Sequence, residues 1–220
     1  VQADNSGQSL GDHASHVSGT LIAGGIDPDA RGMAYQANLR AFDVSNHVSE
    51  MASEGAAGRR LSNHSYGSYS GWEYGDFSGQ TGWHWWGSTS VSQTIDYKFG
   101  QYDQTARDWD NLAFNAPFFL PVKSVGNSRG KGPGPGAQHW VRNASSQWIS
   151  STTTREKNGG TEGYDSAPTY SNAKNILSVG SLRREGDDDF FVLSLASSSS
   201  WGPTDDGRIK PDVVALGVDV

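Results

Sequence analysis

Gly11-Asp12-His13-Ala14-Ser15-His16-Val17-Ser18-Gly19-Thr20 is the stretch around which the chain is organised. It reads as the opening turns of a helix that carries a histidine at its mouth. Asp12 suits the N-cap, where a carboxylate accepts from the free amides of the first turn. His13 follows with its ring positioned to face a cleft, and His16 lies one turn further on. Ala14, Ser15, Ser18 and Gly19 are small enough to let other elements pack closely. A helical glycine costs about 1 kcal/mol relative to alanine, so Gly19 implies a packing reason, and Gly24-Gly25 suits the C-terminal stop. The histidines taken alone admit a buried structural role. A zinc pair fits less well, because the spacing is i, i+3 and the Glu of His-Glu-x-x-His is missing.

Outward from that helix, 220 residues suit one domain with a sizeable core. Hydrophobic residues make up 35% and glycine 28 of 220, which describes a loop-rich globular chain and excludes a disordered one. A net charge of −7 without a basic block argues against nucleic acid and anionic membranes as partners. Cysteine is absent, so disulfides, thiolate chemistry and cysteine-based zinc sites are excluded. No apolar run is long enough for a membrane span, and Val1-Gln2-Ala3 does not open a signal peptide.

Asp27-Pro28-Asp29 is a turn. Asn38 to Val44 alternates as a strand, Val48 to Gly58 is helical, and Leu61 opens a second strand. That order predicts a βαβ unit and a parallel sheet. Residues 71–90 form a Trp- and Gly-rich insertion without periodicity of its own. Ile95, Phe99, Tyr102, Ala106, Trp109 and Ala113 then recur at helical spacing, which predicts one core-facing helix. Ala116 to Val125 is strand-like despite Pro117 and Pro121. From Gly136 to Gly163 the chain reads as irregular, with Trp140 and Trp148 as anchors. Asp187-Asp188-Asp189 is expected to be a solvated loop, although calcium seeks such oxygens.

Five stretches together resemble the subtilisin-like serine proteases, the subtilases of peptidase family S8. Asp12 to Thr20 is similar to the His-Gly-Thr-His-Val-Ala-Gly-Thr block, with Ala14 and Ser15 in place of Gly and Thr. Arg31 to Leu39 resembles Gly-Val-Ala-Pro-x-Ala-x-Leu, with Tyr35 where the family has Pro. Leu61-Ser62-Asn63-His64-Ser65-Tyr66-Gly67 resembles the substrate strand, and Ser124-Val125-Gly126-Asn127 the strand that ends in the oxyanion asparagine. The longest match is Ser199 to Ala215, similar to Ser-Ser-x-Gly-Pro-x-x-Asp-Gly-Arg-x-Lys-Pro-Asp-Val-x-Ala, with Leu216 where Pro usually follows.

The resemblance implies a three-layer α/β/α fold with a mostly parallel sheet, incomplete at both ends, as a single partial catalytic domain over residues 1–220. It implies that His13 is the catalytic base, that Asn127 donates to the oxyanion, and that Ser65, Tyr66 and Gly67 hold the substrate backbone. The substrate is then a polypeptide and the location extracellular. No cofactor or metal is needed for the chemistry, and structural calcium stays unassigned. Subtilases order their triad Asp, His, Ser. Asp4 lies too close to His13 to be the acid, and no Gly-Thr-Ser-Met-Ala follows Lys210-Pro211-Asp212. The chain is therefore expected to be part of a larger protease, inactive alone and completed by the remaining parts of the same enzyme. The alternative is a non-catalytic subtilase-like module that binds peptide or glycan. Gly126-Asn127-Ser128-Arg129-Gly130 also fits the Gly-x-Ser-x-Gly nucleophile elbow. That fold needs an acid and then a histidine downstream, and no acid lies between Ser128 and His139.

Overall fold

The computed structural model describes residues 2–4, 11–186 and 190–218. They fall into two compact units, Val1–Met51 and Ala52–Val220.

In the first unit, α1 spans Asp12–Ile22. Gly11 takes the N-cap position in extended conformation and Asp12 is the first helical residue, which corrects the expected cap. Its carboxylate still sits in the first turn, where the exposed amides favour negative charge. The expected packing reason is found at Gly32 and not at Gly19. A Cβ on Gly19 would meet nothing within 4 Å among the described residues, whereas one on Gly32 would lie 2.4 Å from the Ala23 nitrogen. This close approach lets Gly32, Met33 and Ala34 donate to the carbonyls of Ala23, Thr20 and Leu21. Carbonyls at the end of α1 that no helical partner reaches are satisfied in that way. The expected strand over Asn38–Val44 is reduced to one parallel bridge, Gln2 with Ala41. Asp43 donates its amide to Asp4 Oδ2 at 2.8 Å. Burial, followed by the charges of Asp4 and Asp43, raises the pKa of Glu50 on α2 (His47–Ala56).

The second unit contains two sheets. In the five-stranded sheet, β1 (Leu61–His64) pairs parallel with β4 (Leu120–Ser124), and β4 pairs parallel with β7 (Leu177–Gly186). β9 (Val213–Leu216) is also parallel to β7, while β8 (Phe191–Leu195) closes an antiparallel hairpin on it. The sheet is mostly parallel, as expected, and the fold is α/β.

The helix α3 is Gln104–Asn115. It starts well after Ile95 because Asp103 caps it, accepting from the Ala106 amide at 3.0 Å. Gly100 before it holds a φ of +73, with no room for a side chain beside Asp165 and Asp205. Ala106, Trp109 and Ala113 face the core as their spacing predicts, but Ile95 is 49% exposed outside the helix. Asp110 on the same helix accepts from the amides of Lys174 and Asn175 and from the Tyr102 hydroxyl, which ties α3 to the approach to β7.

The insertion is a structured second sheet, not an irregular loop. β2 (Trp72–Phe77) and β3 (Gln80–Trp85) form a hairpin, and β3 runs parallel to β5 (His139–Arg142). β6 (Trp148–Ser151) completes it antiparallel to β5, within the stretch expected to be irregular. Trp72 and Trp85 are fully buried and pack with Val141. At the base of the hairpin, Asp96 accepts from the Gly71 amide at 2.6 Å, and Lys98 Nζ donates to the carbonyls of Tyr69 and Trp86. Asp187–Asp189 lie outside the described residues.

Candidate active site

Parallel pairing in register fixes the centre of the site. His64 on β1 lies opposite Lys123 on β4, so Ser65-Tyr66-Gly67 and Ser124-Val125-Gly126-Asn127 leave the same sheet edge side by side. Neighbouring strands are about 4.8 Å apart. Both segments therefore lie at the carboxyl ends of the strands, where open parallel sheets place their ligands.

Ser65 and Tyr66 are half-buried and Gly67 is exposed, with open space where a side chain would stand. Asn63 Nδ2 donates to Ser65 Oγ at 3.1 Å. Tyr66 is held by its hydroxyl, 2.8 Å from His64 Nδ1, while His64 Nε2 lies 2.7 Å from Ser62 Oγ. The His64 ring meets Trp109 edge-on at 4.7 Å, which anchors this wall to α3. The backbone of a wall fixed in this way offers pairing groups to an extended chain.

Past the end of β4, the Val125 amide still donates to Val179 on β7 at 2.8 Å. Gly126 then turns with φ +108, and a Cβ there would press on Pro168 at 3.1 Å. Ser200 clamps the turn from both sides. Its amide donates to the Gly126 carbonyl at 2.9 Å, and its Oγ accepts from the Ser128 amide at 3.0 Å. Asn127 is thus held by its neighbours while its own side chain is exposed, with no hydrogen bond among the described residues. Ser128 is 8% exposed, unlike the presented serine of a nucleophile elbow.

The sequence pattern of Ser199 to Ala215 does not by itself reveal the role of Ser200. In space that motif is a clasp. Ser199 Oγ accepts from the Ser181 amide, Trp201 and Gly202 carbonyls accept from Ser166 and Asp165, and Asp212 accepts from the Ser178 amide. Arg129, two residues past Asn127, donates to the Ala196 carbonyl at 2.6 Å and lies 4.3 Å over the Trp201 ring. Gly130 donates to the Asn158 carbonyl, and Asn158 Oδ1 accepts from the Trp72 amide, so the second sheet braces the loop.

Several charged groups of the second unit are perturbed. Lys123 is 2% exposed and burial pushes its pKa down to about 8. Burial raises Asp165, with a further contribution from the Asp205 charge, and Asp205 is itself raised by burial and by Asp206. Asp206 is held down to about 2 by hydrogen bonds from Thr204 and Arg208.

His13 belongs to the first unit. It is the second residue of α1 and is exposed, as is His16. Its ring makes no hydrogen bond among the described residues, so it is accessible and unlike a buried structural histidine. No group of three histidine, aspartate or glutamate side chains among the described residues is placed to hold a metal.

The architecture defines the class first: an α/β protein whose edge strand β1 and exposed Asn127 amide lie toward the carboxyl ends of parallel strands. A family model described as the subtilase family, Peptidase S8, matches residues 1–219, and the chain belongs to that family of serine peptidases. No curated protein matches the chain. No helix among the described residues is long and apolar enough to cross a membrane.

Proposed function

We propose that this chain carries the base and the oxyanion donor of a secreted, subtilisin-type serine endopeptidase. The observation that supports this most is the parallel register of β1 with β4, the strands from whose ends Ser65–Gly67 and Asn127 follow. In the reaction, a serine hydroxyl attacks the scissile carbonyl and His13 takes its proton, then returns it to the leaving amine. Negative charge gathers on the carbonyl oxygen only as the bond forms, and the Asn127 amide donates to it there. Ser65, Tyr66 and Gly67 pair with the extended substrate backbone.

An imidazole without a hydroxyl to deprotonate gives no acyl-enzyme. Neither an Asp-Thr-Gly setting nor Gly-Thr-Ser-Met-Ala occurs in these residues, so we assign the acid and the nucleophile to polypeptide outside them. Phe191, Leu193, Val213, Val214 and Leu216 are exposed along β8 and β9. That apolar surface supports further parts of the same protease packing there.

A serine-directed fluorophosphonate probe on the full-length protease tests the reading. Labelling is expected, with loss of labelling in His13→Ala. Asn127→Ala should retain the fold and slow peptide hydrolysis by about 10²–10³, a factor measured in a subtilisin and carried over as such. A full-length protein that stays unlabelled yet binds peptides would instead be the non-catalytic module.

A further inference from the structure

The second sheet carries a feature that peptide hydrolysis does not use. Gly75 faces Gly82 across the β2–β3 hairpin. Beyond that pair the tip folds so that Phe77 lies 5.1 Å from Trp86 and 6.4 Å from Trp148. The tip then meets the β5–β6 turn around an open depression of about 500 Å³, lined by Ser78, Gln80, Arg142, Gln147, Trp148 and a few neighbours. Sites for small ligands run from about 300 to 1,000 Å³.

Arg142 is the distinctive group in this depression. Its guanidinium sits 4.5 Å from the Trp86 ring centre and 4.8 Å from that of Trp148, so two indoles fix its orientation. It is nevertheless exposed, and no carboxylate pairs with it among the described residues. None of the lining residues is acidic. Asp76, on the same hairpin, is engaged with the Gly79 amide and the Thr81 hydroxyl. An unpaired cation presented among lining residues that carry no negative charge selects an anionic group at this spot, against the repulsion of a chain whose net charge is −7.

We propose that this depression binds an acidic carbohydrate, a sugar chain bearing carboxylates. A planar guanidinium matches a carboxylate with two parallel hydrogen bonds. The rest of the wall suits hydroxyl groups, because Ser78, Ser146 and Gln147 both donate and accept. With the Gln80 amide turned so that its nitrogen faces the Ser78 and Phe77 carbonyls, the orientation that satisfies both ends, its oxygen is left as an acceptor. Trp148 and Ile149 supply apolar surface for the face of a ring. A glutamate side chain of a peptide would satisfy Arg142 and leave those hydroxyl and amide groups unpaired.

Tetragalacturonate is the probe, titrated into the chain with tryptophan fluorescence and calorimetry as readouts. It is expected to bind saturably and at least about tenfold more tightly than maltotetraose, the margin a charged hydrogen bond supplies. Arg142→Gln should weaken it by about the same factor with circular dichroism unchanged. Gln147→Ala, a change at an exposed turn, should weaken it several-fold and carries the test if the arginine variant misfolds. Equal binding of the neutral sugar, absence of binding, or indifference to both substitutions overturns the proposal. Tetraglutamate binding as tightly as the uronate overturns it as well, in favour of an acidic peptide. None of these outcomes bears on the peptidase reading, which rests on different residues.

Discussion

Lys123 shows how much a single position can hide. In the sequence it is a strand-end lysine before Asn127, and nothing about Lys123-Ser124-Val125 announces burial. The parallel ladder places it between β1 and β7, where it is 2% exposed and, among the described residues, donates to the Ser124 carbonyl and hydroxyl, at 2.8 and 3.1 Å. Burial disfavours the ammonium and lowers its pKa from 10.5 to about 8. Between those values the unfolded chain binds the proton more tightly than the folded one. Stability therefore rises with pH across that window, and the full penalty applies below pH 8. The gap corresponds to roughly 3 kcal/mol. Lys123→Met keeps the unbranched stem and removes the charge. It is expected to be more stable than the parent in urea unfolding at pH 7, by up to about 3 kcal/mol less the two lost hydrogen bonds. That advantage should fade by about pH 10.5. An advantage that does not change with pH would mean the amine is already neutral or ion-paired.

Among the elements, α3 does the most to hold the candidate cleft. Trp109 packs under His64, and three residues' worth of donors converge on Asp110 from Tyr102, Lys174 and Asn175. Asp110→Ala would leave the Lys174 and Asn175 amides without their carboxylate acceptor. Hydrogen bonds to a charged group contribute about 1.5–3 kcal/mol. We expect a fall in thermal midpoint of about 5–10 °C for a chain of this size, measured by calorimetry. A shift under about 2 °C would show that water replaces the carboxylate. The core-facing half of α3 was legible, because Ala106, Trp109 and Ala113 keep the helical period. Its start was not, since apolar residues at Ile95 and Phe99 continue the period by coincidence while Gly100 takes a φ of +73 that no helix allows. The hairpin is legible in principle. Trp72–Phe77 and Gln80–Trp85 are two six-residue runs separated by Ser78-Gly79, both at positive φ, the two-residue turn that matches strand twist. Tryptophan abundance masked the alternation.

For the whole molecule, motif order in the sequence carried the family and the parallel sheet, because those blocks are long and local. The second sheet depended on a parallel contact between β3 and β5, more than fifty residues apart, which no local pattern reports. That sheet buries two histidines, and they set its response to acid. His84 on β3 is fully buried, donates from Nδ1 to the Gly82 carbonyl and is surrounded by Phe77, Trp140 and Trp148. His139 on β5 pairs with the Ala137 carbonyl through Nδ1, while Arg155 approaches its Nε2 at 2.7 Å. An arginine can only donate, so that nitrogen is the acceptor and the ring is neutral. Burial lowers both pKa values, and the Arg155 charge lowers His139 further. The folded values lie below the ordinary 6.5, so on acidification the unfolded chain takes up these protons first. Stability from both rings is complete above about pH 6.5 and declines below it. Asp165 and Asp205 work the other way at lower pH, since raised carboxyl values favour the folded state as acid is added. The urea midpoint followed by tryptophan fluorescence should accordingly drop between pH 7 and 5.5. The double variant His84→Phe, His139→Gln should flatten that slope, because phenylalanine keeps the aromatic packing and glutamine can still accept from Arg155. An unchanged slope in the double variant would place the acid sensitivity elsewhere than in the sheet built by the insertion.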